Sequence, residues 1–161
     1  MMTSVSEDDD HLTKIYINLP NHWWLKGESF WAKSLGNDLF EIQNIPFCAY
    51  GLNFGDVVKA IQQSPDLKPE IMEVVSKSGN QTLRVHFIVD RDQQQTHIDN
   101  IDACQAWVER ANAKFMAINI PASACKEQLF AYLDEQEALG VLHYETCEER
   151  VEGSFDDHPE V

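Results

Sequence analysis

The residues best suited to chemistry lie in one turn and the strand that follows it, Ser78-Gly79-Asn80-Gln81-Thr82-Leu83-Arg84. Gly79 and the turn amides could form an anion-binding nest. Arg84 could then bind the anion through two hydrogen bonds of its guanidinium, with His86 beside it. However, the turn lacks the repeated glycines of a phosphate loop, and a strand arginine in an acidic protein is more often an ion-pair partner across the sheet. The pattern therefore favours a structural role for Ser78, Gly79, Thr82 and Arg84, with an anion site as the alternative.

A second unusual run extends from residue 44 to residue 58. Its Asp56 could serve as an acid, a base or a ligand, while Pro46 fixes a bend and Gly51 and Gly55 permit tight backbone. A Gly-Asp step before β-branched residues is nevertheless a common entry turn, in which the aspartate binds nearby amides. We favour structure here too, for Phe47 as for the rest of the run. The aromatic residues Trp23, Trp24, Phe30 and Trp31 could form a recognition patch, but we expect them to close a small core.

Histidines and cysteines give no metal or catalytic pattern. His86, His143 and Cys147 could be imagined as a group, but no zinc-type spacing and no C-x-x-C is present. A thiol nucleophile needs an adjacent base and an orienting third group, which the sequence does not place. We therefore predict no catalytic residues, no metal, no cofactor and no disulfide framework.

Acidic residues gather towards the C-terminus, around the end of a predicted helix and the last predicted strand. A solvated face is the usual explanation of such a run, and an acidic surface for a basic protein is the functional one. Aromatic residues nearby could act as anchors of such an interface. The predicted acidic surface comprises Asp134, Glu135, Glu137, Glu145, Glu148 and Glu149, and the predicted anchors are Phe130, Tyr132 and Tyr144.

The elements that would position these residues fall into two halves of an α+β fold. In the first half, β-branched alternation and glycine turns predict a small antiparallel β-sheet or barrel, with a hairpin turn at Gly36-Asn37-Asp38 and strands at 14–19, 30–35, 39–42, 57–61 and 71–75. In the second half we predict the order strand, helix, strand, helix, strand, with both helices on one sheet face and strands at 82–89, 115–120 and 141–144. Its first helix is expected from about Gln94 to Asn112, and its second to begin at a Ser123 cap and stop at Gly140.

The boundaries that follow are an acidic flexible N-terminus at 1–12, a β-rich subdomain at 13–80, an α/β subdomain at 81–147 and an acidic flexible tail at 148–161. The 161 residues carry a net charge of −15, ten of which lie in residues 1–13 and 145–161. Such a charge disfavours direct nucleic-acid binding and anionic membranes, and it favours a basic protein partner. The absence of a signal peptide or long apolar segment predicts a soluble, cytoplasmic protein.

These runs together resemble a bacterial family of small cytosolic domains of unknown function, over about residues 13 to 148. The family pattern reads W-A-x-x-L-G, N-x-P-F-x-A-x-G, G-D-x-V and S-G-x-x-T-x-R-V. The matching positions are Trp31-Ala32, Leu35-Gly36, Asn44, Pro46-Phe47, Ala49, Gly51, Gly55-Asp56, Val58, Ser78-Gly79, Thr82 and Arg84-Val85. The resemblance implies no established activity.

Our leading hypothesis is a non-enzymatic protein-binding module. Its most concrete form is an acidic immunity-type inhibitor that neutralises a basic bacterial toxin domain such as a nuclease, by analogy with small acidic immunity proteins. One alternative is a small-anion sensor or enzyme that uses the turn from Ser78 to Arg84. A second alternative is a regulatory subunit of a larger assembly.

Overall fold

The fold is α+β, as the sequence predicts, and it divides into a β-barrel and an α/β sandwich. The computed structural model describes residues 12–20, 22 and 25–148. The tails predicted to be acidic therefore lie almost wholly outside the described residues, as does Glu149. No helix within the described part of the chain is long and apolar enough to cross a membrane.

The first half is a closed five-stranded barrel. Consecutive strands pair antiparallel, and a parallel contact between Tyr16 and Glu70 joins the first strand to the fifth. Asn37 and Asp38 take positive φ angles of 56° and 64° in the tight turn predicted between the second and third strands. The strands are β1 (Leu12–Asn18), β2 (Gly27–Gly36), β3 (Leu39–Ile42), β4 (Val57–Ile61) and β5 (Glu70–Ser76).

The barrel has its own apolar core, because alternate residues of each strand point inwards. Phe30 and Ile15 lie directly opposite each other and are almost fully buried. Trp31 points the other way and is 45% exposed, so the prediction that it packs in a core with Phe30 is wrong, while Trp23 and Trp24 lie outside the described residues. The reason is the two-residue period of the strand, which sends adjacent side chains to opposite faces.

The second half is a four-stranded antiparallel sheet in the order β7-β8-β6-β9, covered by two helices. With the chain order βαββαβ, this is the ferredoxin-like arrangement. Residues 77–80 link it to the barrel. Its elements are β6 (Gln81–Phe87), α1 (Gln95–Ala103), β7 (Trp107–Arg110), β8 (Phe115–Ile120), α2 (Lys126–Ala138) and β9 (Leu142–Thr146).

The first helix is shorter than the sequence predicts, and the predicted strand-helix-strand-helix-strand order lacks one strand. α1 ends at Ala103, Gln105 takes a φ of 69°, and residues 107–110 pair with β8 instead of continuing the helix. Val108 stands seven residues after Ile101, so it fits a helical stripe by coincidence. Four alternating residues of an edge strand are too few to outweigh that stripe in a sequence.

Both helices pack on one face of the sheet, as predicted. Ile101 of α1 and Leu129 and Leu133 of α2 join a buried cluster with Leu83 and Val85 of β6. The N-cap of α2 is Cys125 rather than the predicted Ser123. The helix stops at Gly140 as expected, where a φ of 77° and the bond from Val141 N to Gln136 O close its C-terminus.

Candidate functional site

The unusual run of residues identified in the sequence connects the barrel to the sandwich. We call residues 43–56, between β3 and β4, the junction segment, and the sheet face opposite the helices the back face. Phe47 packs against Phe115 of β8 at a centroid distance of 6.3 Å, and Phe54 meets Trp107 of β7 edge-on at 5.4 Å. The junction segment therefore covers the back face.

Glu28 of β2 holds the junction segment from the barrel side. Its carboxylate accepts three main-chain hydrogen bonds, from Phe47 N at 2.7 Å, Cys48 N at 3.0 Å and Ala49 N at 2.8 Å. Charge-assisted bonds of this kind are among the stronger ones in proteins. Sequence reasoning did not single out Glu28, because no local pattern links it to amides about twenty residues away.

Arg84 of β6 holds the same stretch from the sheet side. Its guanidinium donates to Cys48 O at 3.2 Å and to Ala49 O, and it stacks over the Tyr50 ring at 4.6 Å. Glu145 lies 3.7 Å from it and also accepts a 2.5 Å bond from the Tyr50 hydroxyl. Burial and that hydrogen bond raise the pKa of Tyr50. Arg84 is only 1% exposed, so it forms part of the interior.

Asp56 fastens the junction segment to the turn between the two halves. Its fully buried carboxylate accepts from Asn53 N and from Ser78 N, both at 2.9 Å. The Ser78 hydroxyl donates to Phe54 O at 2.7 Å. Two of the turn amides, those of Ser78 and Asn80, are therefore bound by Asp56 and by the Ser78 hydroxyl, and the geometry does not favour an anion site at this turn.

Among the other residues of the family pattern, Thr82, Pro46 and Gly51 also occupy hydrogen-bonded or buried positions. Thr82 donates to Asn53 Oδ1 at 2.7 Å, and Pro46 is buried. Gly51 has a φ of 82° and its N–H binds Cys147 O at 2.8 Å, which ties the junction segment to the chain after β9. Gly79 has a φ of 94°, with open space around it.

Trp31 lines an open groove on the outside of the barrel. The groove has a volume of about 470 Å³ and is formed with Leu12, Gln43 and Asn44. Asn44 Oδ1 accepts a hydrogen bond from the main-chain N–H of Trp31 at 2.6 Å, and Lys14 Nζ lies 4.9 Å above the indole ring. Trp31 is thus a surface aromatic side chain held in place by its neighbours.

The residues predicted as an acidic surface are brought together only in part. Asp134 accepts a 2.5 Å bond from the Tyr144 hydroxyl, and Glu137 accepts from Tyr144 N at 3.3 Å. Phe130 lies against Tyr144 at 6.3 Å. We call these four residues, Phe130, Asp134, Glu137 and Tyr144, the α2–β9 patch. Burial and Asp134 raise the pKa of the Tyr144 hydroxyl.

The other predicted members lie elsewhere. Glu145 is on the back face with Arg84, and Tyr132 turns towards α1, where its hydroxyl meets His97 Nδ1 at 2.6 Å and Asn100 Nδ2 at 3.0 Å. Glu135 and Glu148 are exposed side chains outside these contacts. The predicted acidic and aromatic residues are therefore divided among two faces of the sheet and the gap between the helices.

The charge itself is concentrated on the helical half. Residues 81–148 carry eleven Asp and Glu against five Lys and Arg, whereas residues 12–80 carry seven against six. Two of the seven acids in the barrel half, Glu28 and Asp56, are engaged in the junction. The barrel surface is thus near neutral, and the sandwich is acidic.

His86 and His143 lie on strands, and they face each other across β6 and β9. Burial, then His143 and Lys114, lower the pKa of His86. Within residues 12–20, 22 and 25–148, no three His, Cys, Asp or Glu side chains are grouped so that they could hold a metal ion.

The fold and site thus define a two-part protein in which a barrel and a ferredoxin-like sandwich are joined by a hydrogen-bonded junction. The chain belongs to the family described as a domain of unknown function, DUF4265, whose model matches residues 28–144. That match begins at Glu28 and includes the whole junction segment. No curated protein matches the chain.

A solved structure shares the fold. It is described as a hypothetical protein from Neisseria gonorrhoeae, and it aligns with a TM-score of 0.73 at 17% identity. The alignment covers 84% of this chain and 94% of the other. This likeness establishes the α+β fold, and neither comparison attaches an enzymatic activity to it.

Proposed function

We propose that this protein is a binding module for a basic protein partner, which it contacts through the acidic sandwich. The observation that carries the proposal is the segregation of charge: eleven acids against five cations in residues 81–148, next to a barrel half that is close to balanced. A one-signed surface speeds encounter with a partner of opposite charge and orients it. The acidic layer, and not the barrel, is then the docking side.

The α2–β9 patch supplies the centre of this docking surface. Phe130 and Tyr144 are half-buried rings that leave part of their surface to solvent, and aromatic residues in that position often dominate interface energies. Asp134 holds the Tyr144 hydroxyl, so the ring is already ordered before a partner arrives. Less side-chain entropy is then lost on binding.

The particular form we propose is an immunity-type inhibitor of a basic bacterial toxin domain such as a nuclease. Carboxylates on the sandwich would occupy the cationic cleft that such an enzyme uses for phosphates. All four cysteines lie in the part of the chain that the structure describes and none is joined in a disulfide, which agrees with a cytoplasmic protein that meets its partner inside the cell.

The test is capture of the partner from the native cells with the tagged full chain, followed by comparison of two matched variants. Asp134→Asn with Glu135→Gln removes two charges from α2, while the side-chain oxygen retained at position 134 can still accept from Tyr144. Asp66→Asn with Glu73→Gln removes two exposed charges from the barrel half. We expect a basic partner that is retained by the wild type and the barrel variant, and lost with the α2 variant and at high salt.

Addition of the purified chain to the purified partner should then inhibit the partner's activity on its substrate. Equal release by both variants, or a partner that is not basic, would contradict the proposed surface. If a stoichiometric partner is found but its activity is unchanged, the protein is a binding module and not an inhibitor.

A further inference from the structure

Two cysteines that are distant in sequence meet where the first helix ends and the second begins. Cys104 is the C-cap of α1 and Cys125 is the N-cap of α2. The Cys125 N–H donates to Cys104 O at 3.0 Å. One N–H···O bond of this length, taken with standard bond lengths, keeps the two Cα atoms within about 7 Å of each other, and a disulfide spans Cα separations of roughly 4.4–6.8 Å.

The two thiols differ in their access to solvent. Cys125 is exposed, whereas Cys104 is 8% exposed and lies in the core cluster under the helices. Burial, and then the neighbouring Cys125, raise the pKa of Cys104. The Cys125 thiol can therefore be reached directly from solution, whereas most of Cys104 is covered.

We propose that Cys104 and Cys125 form a redox-active pair, which closes to a disulfide when a small disulfide such as oxidised glutathione reacts at Cys125. In the first step the Cys125 thiolate attacks oxidised glutathione, forms a mixed disulfide and expels one glutathione thiolate. In the second step the Cys104 thiolate attacks the Cys125 sulfur and expels the second glutathione. The chain loses two protons and two electrons, and oxidised glutathione gains them.

The disulfide would link the end of α1 to the start of α2 and close the loop between residues 104 and 125. α2 carries part of the α2–β9 patch, so oxidation would make the acidic layer more rigid. In a reducing cytoplasm such a bond is formed transiently, which is the behaviour of redox-sensing pairs. This inference rests on the cysteine geometry alone and does not depend on the proposed partner.

The test is to incubate the full chain with oxidised glutathione at increasing ratios to reduced glutathione, and to map the products without reduction. Tryptic cleavage places each cysteine of the pair alone in a peptide, in residues 92–110 and residues 115–126. We expect these two peptides to become linked, with the mass of two hydrogens lost. The oxidised chain should melt roughly 5–10 °C higher than the reduced chain.

Three variants complete the test. Cys104→Ser should stop at the mixed disulfide and gain one glutathionyl group on residues 115–126. Cys125→Ser should react slowly at Cys104, because that thiol is covered. Cys48→Ser with Cys147→Ser should form the link as the wild type does. The proposal would be overturned if Cys48 became linked to Cys147 instead, or if no link formed. It would also be overturned if Cys104 in the Cys125→Ser variant reacted as fast as Cys125 does in the Cys104→Ser variant.

Discussion

Glu28 and Arg84 bind the same short stretch of main chain from opposite sides. The Glu28 carboxylate accepts the N–H groups of residues 47–49, and the Arg84 guanidinium donates to the carbonyls of Cys48 and Ala49. One residue belongs to the barrel and the other to the sheet. The two halves of the protein are therefore joined through a backbone segment that both of them bind.

Replacement of Arg84 should lower the free energy of unfolding. Arg84→Met leaves Glu145 and two carbonyls of the junction segment without their buried donor, and loss of one partner from a buried ion pair costs about 3–5 kcal/mol. Urea unfolding measures the change. Arg91→Met, at an exposed position, should alter stability by no more than about 0.5 kcal/mol. A stable, fully folded Arg84→Met protein would contradict the structural role.

Loss of charge at Glu28 should weaken the junction through the main chain. In Glu28→Gln only one amide oxygen remains to accept three N–H groups, and an unsatisfied buried donor costs about 1–3 kcal/mol. Hydrogen exchange of residues 47–49 should accelerate more than that of the strands. Glu73→Gln, at an exposed position of β5, is the matched control, for which we expect no change in the hydrogen exchange of residues 47–49.

Two glycines with the same backbone conformation separate steric contact from conformational strain. Gly55 and Gly36 have φ angles of 83° and 86°, but a Cβ at Gly55 would lie 3.1 Å from Ser78 Cβ, while one at Gly36 would meet nothing within 4 Å. Gly36→Ala should cost about 1–2 kcal/mol for the left-handed conformation. Gly55→Ala should lower the stability measured by thermal unfolding more than Gly36→Ala does. Equal losses of stability in the two variants would mean that the contact with Ser78 relaxes without cost, contrary to this prediction.

Adjacent aromatic residues of β2 should respond very differently to truncation. Phe30→Ala empties part of the barrel core and should cost about 3–5 kcal/mol. Trp31→Ala removes an exposed ring over Lys14 and should cost less than about 1 kcal/mol. Denaturant unfolding of both variants measures the two losses of stability. A large loss of stability in Trp31→Ala would be inconsistent with the exposed position of this ring on the groove.

Stability should fall at alkaline pH partly because of Cys147. Burial raises the pKa of its thiol from 9.0 to about 12. Since unfolding returns the thiol to its ordinary pKa, the unfolded chain releases this proton first, and the stabilisation present below pH 9 declines as the pH rises towards 12. The free energy of unfolding should therefore fall less steeply with pH in Cys147→Ala, because about one proton fewer is released on unfolding in this range. Parallel pH profiles would argue against a buried thiol.

Much of the secondary structure follows from local chemistry. The predicted strands at 39–42, 57–61 and 115–120 match β3, β4 and β8 residue for residue, because alternation and flanking turns are encoded within a few positions. The end of α1 could not be predicted in the same way, since β7 acquires its identity only by pairing with β8. The acidic surface was also only partly predictable. Tyr144 and Glu145 are neighbours in the sequence, but they lie on opposite faces of the sheet.

The sequence by itself determined the α+β class, the positions of most strands and the turns at which glycine and asparagine are needed, because these depend on residues close together in the chain. Only the tertiary structure decided what Glu28 binds, that Arg84 is buried, and that Cys104 meets Cys125. Each of these depends on closure of long loops, which brings together groups that no local pattern relates. The partner of a buried charge is a property of the folded chain.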